Sequence, residues 1–191
     1  MTHARAGAAL LGSLALLAAL TACGGDDSEG TLTRDDVPGA TADPESQTRL
    51  TNQAPCDELD QVEDDLVVRN DYTKEGGSAV TIKAEEGVAV DSSLWPTKDP
   101  QAFVSDIQAA VKSCQSSDAG ATYDPLTGPE DAVGYRAVLA TNPDETRIER
   151  LFVPLDDQVA IVGVYDPHNA GSPEAADLVD AAVQAAEKAE S

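Results

Sequence analysis

Basic residues are scarce in this chain, with 12 Lys and Arg set against 35 Asp and Glu. A surface so acidic repels phosphate backbones and anionic headgroups, which argues against nucleic acid as a partner. Histidine is scarcer still: two in all, of which His168 is the only one beyond the first few residues. That removes the usual metal ligand and the usual general base together, and no Cys-x-x-Cys compensates. No serine sits in a Gly-x-Ser-x-Gly turn, and no glycine-rich loop is arranged to cradle phosphate. A nucleophile, base and orienting group cannot be assembled from these motifs. Few aromatics accompany an Ala- and Asp-rich composition of the kind found in high-GC bacterial proteins. No catalytic activity, cofactor or metal is therefore expected.

Long apolar runs are absent except at the start. Residues Ala6–Ala22 are Ala, Leu and Gly with Ser13 and Thr21 as the only hydroxyls, preceded by Arg5. A charged n-region, an apolar h-region and a small-residue cleavage site make a secretory signal. The run falls short of the roughly 20 residues that a bilayer crossing needs. It ends in Leu20-Thr21-Ala22-Cys23 followed by Gly24-Gly25-Asp26-Asp27, which resembles the lipobox of bacterial lipoproteins. Cleavage before Cys23 and diacylation of that cysteine are expected. Two acyl chains give stable anchoring, since each buried methylene contributes about 0.8 kcal/mol. The expected organisation is a signal peptide over 1–22, a lipidated tether over 23–30 and one folded domain over 31–191.

Two cysteines remain, Cys56 and Cys114. An even pair in a chain sent out of the reducing cytosol reads as a disulfide. Closing a loop of about sixty residues contributes about 4 kcal/mol in the chain-entropy model. A metal site is the alternative, and it lacks ligands.

Along the chain, Thr31–Thr51 is rich in Pro, Asp and Thr and reads as irregular. Pro55-Cys56-Asp57-Glu58 opens a short helix ending near Asp64, with acids at its positive end. Leu66–Arg69 and the alternating Val80, Ile82 and Ala84 read as strands, separated by Gly76-Gly77; Val88 and Val90 continue the period beyond a turn or bulge at Gly87. Asp99-Pro100 caps a second helix whose Phe103, Ile107, Ala110, Val111 and Cys114 share one face. Residues 133–165 form a three-strand meander with turns at Asn142–Glu145 and Asp156-Asp157. Pairing Thr141 with Thr146 and Leu155 with Gln158 lines up Tyr135, Phe152 and Ile161. Apolar residues also occur on the opposite face, so helices are expected on both sides of the sheet. Ser172-Pro173-Glu174 opens an Ala-rich last helix. The fold class is α+β, an antiparallel sheet with helices packed on it.

In this register Arg150 lies on the meander's apolar face, between the small neighbours Ala137 and Gly163. A planar guanidinium with room beside it suits an anionic or carboxylate ligand, with Tyr135 on the same face. The structural alternative is an ion pair with one of the chain's many acids. Trp95 reads as packed under a loop, His168 as exposed, and the acidic run Asp57–Asp65 as solvated surface.

The lipobox and acidic leash are followed by Leu32-Thr33-Arg34-Asp35-Asp36-Val37-Pro38-Gly39, similar to a family opening of leucine and then Asp-Leu-Pro-Gly. Next come Cys56 before a short helix, a helix carrying Cys114, a meander and an Ala-rich final helix. This order resembles the extracellular sensor domains of actinobacterial envelope proteins, the type fused to the receptor kinase PknH and found alone in lipoproteins. The resemblance spans about Thr31 to Ser191 and implies an α/β sandwich with a groove for a ligand, hence binding rather than catalysis. The chain departs from it in lacking a second disulfide and in having Val111-Lys112-Ser113 where kinase-linked members carry Trp. The expected protein is a lipid-anchored lipoprotein on the outer face of the cell membrane, binding a small molecule or envelope component. The alternative is a protein-interaction module of a membrane or cell-wall complex.

Overall fold

The computed structural model describes residues 29–47, 56–70 (side chains to Leu66), 77–116, 120–140, 145–171 and 173–189. Cys23, the tether up to 28 and Ser172 lie outside them, as do Asn142, Pro143 and Asp144 of the first expected meander turn. Seven antiparallel strands form one sheet: β1 (Glu45–Ser46), β2 (Ser78–Lys83), β3 (Ala89–Pro96), β4 (Ala121–Thr127), β5 (Val133–Ala140), β6 (Glu145–Pro154) and β7 (Gln158–Asp166). Their spatial order is β1-β2-β3-β7-β6-β5-β4. The meander β5-β6-β7 is as expected, and it sits beside β3, which brings the two halves of the chain together. Three helices are described: α1 (Asp57–Asn70), α2 (Pro100–Cys114) and α3 (Val179–Ala189). None is long and apolar enough to cross a membrane.

Both faces of the sheet are covered. On one face, Leu59 and Leu66 of α1 and Val104, Ile107 and Val111 of α2 pack on Trp95, Tyr135, Phe152 and Ile161. On the other, Val179, Ala182 and Ala186 of α3, with Leu32 and Val37, cover Val80, Ile82, Leu151, Val153, Val162 and Val164. Residues 146–153 of β6 are all buried. That strand, central and covered on both sides, lets a side chain pointing either way reach a dry environment.

Several local expectations are corrected. Leu66–Arg69 belongs to α1 rather than to a strand, because the helical spacing of Leu59, Glu63 and Leu66 places all three on one buried face. The segment 31–51 is not wholly irregular: Leu32 N donates to Ser92 Oγ at 3.0 Å, and β1 pairs with β2. Trp95 lies in β3 rather than under a loop, fully buried, and its Nε1 donates to Ser93 Oγ at 2.9 Å. Glu86 and Gly87, both at positive φ, make the β2–β3 connection a tight turn. Asp99 caps α2 as expected, its Oδ1 accepting from Ala102 N at 2.9 Å.

The β6–β7 register is as expected, with Phe152 opposite Ile161 and Arg150 opposite Gly163. The β5–β6 register differs by two residues, so Tyr135 faces Arg150 and Val133 faces Phe152. A slip of two preserves which face each side chain occupies, since strand side chains alternate with period two. Arg150 therefore stays on its expected face and exchanges Ala137 for Tyr135 as a neighbour.

Candidate functional site

The disulfide joins Cys56, just ahead of α1, to Cys114, the last residue of α2, across a Cα–Cα distance of 6.0 Å. It fastens the start of one helix to the end of the other, so the two lie side by side over the sheet. Glu58 approaches this pair, with a carboxylate oxygen 3.1 Å from Cys56 Sγ.

Farther along α1, Glu63 points inward and meets Arg150 from β6. Tyr135 Oη donates to the same carboxylate at 3.0 Å, and the Arg150 guanidinium pairs with its other oxygen. All three are buried. The polar row continues across the strands: Arg150 stands opposite Gly163, Gly163 opposite Asp91, and Asp91 opposite Thr81. Thr81 Oγ1 donates to Asp91 Oδ1 at 2.6 Å. Gly163 contributes no side chain, which leaves the guanidinium room toward Asp91.

The electrostatics follow from burial. Desolvation alone would lower the Arg150 pKa, but Glu63, Tyr135 and Asp91 together push it above its ordinary value. Burial raises the Glu63 carboxyl, with Arg150 and Tyr135 pulling the other way. Tyr135 is held well above the usual phenol range by burial and by the Glu63 charge beside it. Arg150 and Tyr135 come together as the sequence suggested, but α1 closes over them. Of the two readings of Arg150, the ion pair with one of the chain's own acids holds, and that acid is Glu63. The acidic run 57–65 is accordingly not all solvated surface, because its Glu63 faces the sheet.

A second buried charge cluster, on the opposite face of β6, escaped sequence reasoning. Glu149 accepts from Arg136 Nε at 2.6 Å, from Arg147 at 3.3 Å and from the backbone N of Ala175 at 2.8 Å. Arg147 also reaches Asp166 at 3.3 Å and the carbonyl of Pro173 at 3.0 Å. Asp166 in turn accepts from the backbone N of His168 and of Gly171, each at 3.0 Å. These bonds tie the approach to α3 down onto the sheet. His168 itself is exposed, as expected.

What is open lies beside the sealed triad. A cleft of about 600 Å³ runs between α1, α2, the end of β3 and the β6–β7 turn. Val62, Asp65 and Leu66 of α1 line one wall, and Ala102, Phe103 and Asp106 of α2 the other. The α1 trio has i, i+3, i+4 spacing, and in α2 Ala102 and Phe103 precede Asp106 by four and three residues, so each trio shares one helix face. Pro96, Thr97, Lys98 and Asp99 close one end together with Asp157. Phe103 is half-buried there and packs edge-on against Phe152 at 5.6 Å. Only the Phe103 stripe of this wall was visible in the sequence as a helix face; the cleft depends on how α1 and α2 splay, which no local pattern encodes.

No protein-family model matches the chain, and no curated protein or solved structure does either.

Proposed function

We propose that this chain is a binding protein of the cell envelope, anchored by lipid at Cys23, that takes a small molecule into the cleft between α1 and α2. The observation that carries the reading is the cleft itself. Its volume falls within the range of about 300–1,000 Å³ typical of ligand sites, and it combines apolar walls with a few polar groups. Glu63 and Tyr135, whose acidities burial shifts, are sealed under α1 away from any substrate, which favours binding over catalysis. The outward address rests on the h-region, the Leu-Thr-Ala-Cys sequence and the disulfide, the last of which suits an oxidising compartment.

Two experiments test the halves separately. Mass spectrometry of small molecules copurifying with the full chain should find a species retained by the native protein and lost from a Phe103→Glu variant. Retention unchanged by that substitution places the ligand elsewhere. Membrane fractionation of Cys23→Ser should move the protein to the soluble fraction, and undiminished membrane association refutes the anchor.

A further inference from the structure

The cleft between α1 and α2 has a chemical character narrower than that of a general apolar groove. Its floor and walls include Val62, Leu66, Pro96, Ala102 and Phe103, while carboxylates approach its mouth from three separate elements. Asp65 comes from α1, Asp99 and Asp106 from the start and second turn of α2, and Asp157 from the β6–β7 turn. Lys98 is the single basic residue among the described lining residues. An anionic guest would meet four carboxylates against one lysine.

An inorganic cation fits poorly as well. No three of these carboxylates come within the 4.8 Å spacing that would let them hold one metal ion; among the described residues that spacing is met by Cys56, Glu58 and Cys114, elsewhere in the fold. A metal would also leave the apolar walls unused. Dispersed carboxylates around an apolar cleft with Phe103 in its wall are the arrangement that an organic cation satisfies. Its charge is spread over a larger radius, and its apolar body buries against Leu66 and Phe103.

From this charge complementarity, and resting on the reading of the cleft as a ligand site, we infer that its ligand is a small organic cation, an ammonium or guanidinium group carried on an apolar body.

The test uses the full chain and three octyl probes below their micelle concentrations: octyltrimethylammonium, neutral octyl glucoside and octyl sulfate. Calorimetric titration should show one site for octyltrimethylammonium, bound about tenfold or more tighter than either companion. Asp106→Asn and Ala102→Lys, both at exposed helix positions, should each weaken it by about threefold to tenfold. Glu187→Gln removes an equal charge from the exposed side of α3, on the far face of the sheet, and should leave binding unchanged. Should Glu187→Gln weaken binding as much as Asp106→Asn, the attraction belongs to the whole molecule's charge and the assignment fails. Equal binding of all three probes, sensitive to Phe103→Glu, overturns the cationic class but keeps the cleft as the ligand site. If no probe binds, both are overturned.

Discussion

Glu63 and Arg150, 87 residues apart in the chain, form an ion pair sealed between α1 and the sheet, with Tyr135 bonded to the same carboxylate. The pair fixes where α1 lies, and through α1 it sets one wall of the cleft. Taking two charges out of water is costly, and their attraction offsets that cost only while both are present. Arg150→Ala, which leaves Glu63 buried and alone, should lose about 3–5 kcal/mol of stability. Replacing both partners with apolar residues, Glu63→Leu with Arg150→Met, should restore most of that loss. Urea unfolding of the two singles and the double gives the coupling energy directly. Additive losses would mean that the pair does not act as a unit.

The same carboxylate gives a pH dependence of defined sign. Burial raises the Glu63 pKa above its ordinary 4.5, so on acidification the folded chain takes up this proton before the unfolded chain does. Stability from this group is therefore fully present below the unfolded value and is lost as pH rises through the folded one. The stability difference between the wild type and Glu63→Gln should then shift against the wild type as pH rises above about 4.5. Denaturant midpoints at several pH values read this. A shift in favour of the wild type as pH rises would mean that Arg150 outweighs burial.

How far the sequence anticipates this site depends on distance along the chain. Alternation in β6 and β7 was enough to place Arg150 on the correct face opposite Gly163, because strand period and a two-residue turn are local. Its partner could not be found that way. Glu63 lies in an acidic run whose composition suggests solvent, and only the packing of α1 turns one of those acids inward. β3 was hidden for a related reason: Asp91, Ser92 and Ser93 interrupt its apolar character, yet each is buried with a partner, Asp91 with Thr81 of β2, Ser92 with Leu32 of the N-terminal segment and Ser93 with Trp95 of its own strand. β4 was missed because, at the sheet's edge, most of its side chains are not buried.

The disulfide should matter through the helices it joins. Its loop spans a sequence separation of 58, for which the chain-entropy relation gives about 4 kcal/mol. Cys56→Ser with Cys114→Ser should lower stability by about that amount while the sheet persists. Hydrogen exchange should quicken first in α1, which loses its tie to α2. Uniform loss of protection across sheet and helices would show that the bond supports the whole domain equally.

On the opposite face, Glu149 is held by Arg136, Arg147 and the backbone N of Ala175. Glu149→Ala leaves Arg147 buried without one of its two carboxylates and Ala175 N without its acceptor. A loss of about 3–5 kcal/mol is expected. It should come with faster exchange at Ala175 and along the approach to α3. Because Glu149 faces away from α1, ligand binding in the cleft should be unchanged by the substitution. A parallel loss of binding would mean that the two faces of β6 are coupled.

Two glycines flank Arg150 and should respond in opposite ways to the same methyl group. At Gly163 an added Cβ would lie 3.4 Å from Arg150 Nε and 3.5 Å from Asp91 Cβ, ordinary contact distances. At Gly134 it would run into the carbonyl of Arg150 and come 3.0 Å from Leu151 Cα, atoms of the backbone that cannot swing aside. Gly163→Ala should therefore be nearly neutral, helped by the smaller entropy of its unfolded chain. Gly134→Ala should lose about 1–3 kcal/mol through overpacking. Gly163→Val then separates space from backbone freedom. Its extra methyl groups must displace the guanidinium, so it should weaken the Glu63–Arg150 pair and lose stability in the wild type. In the Glu63→Leu, Arg150→Met background the same substitution should cost much less. Equal costs in both backgrounds would show that Gly163 is required by the strand itself and not by the arginine it makes room for.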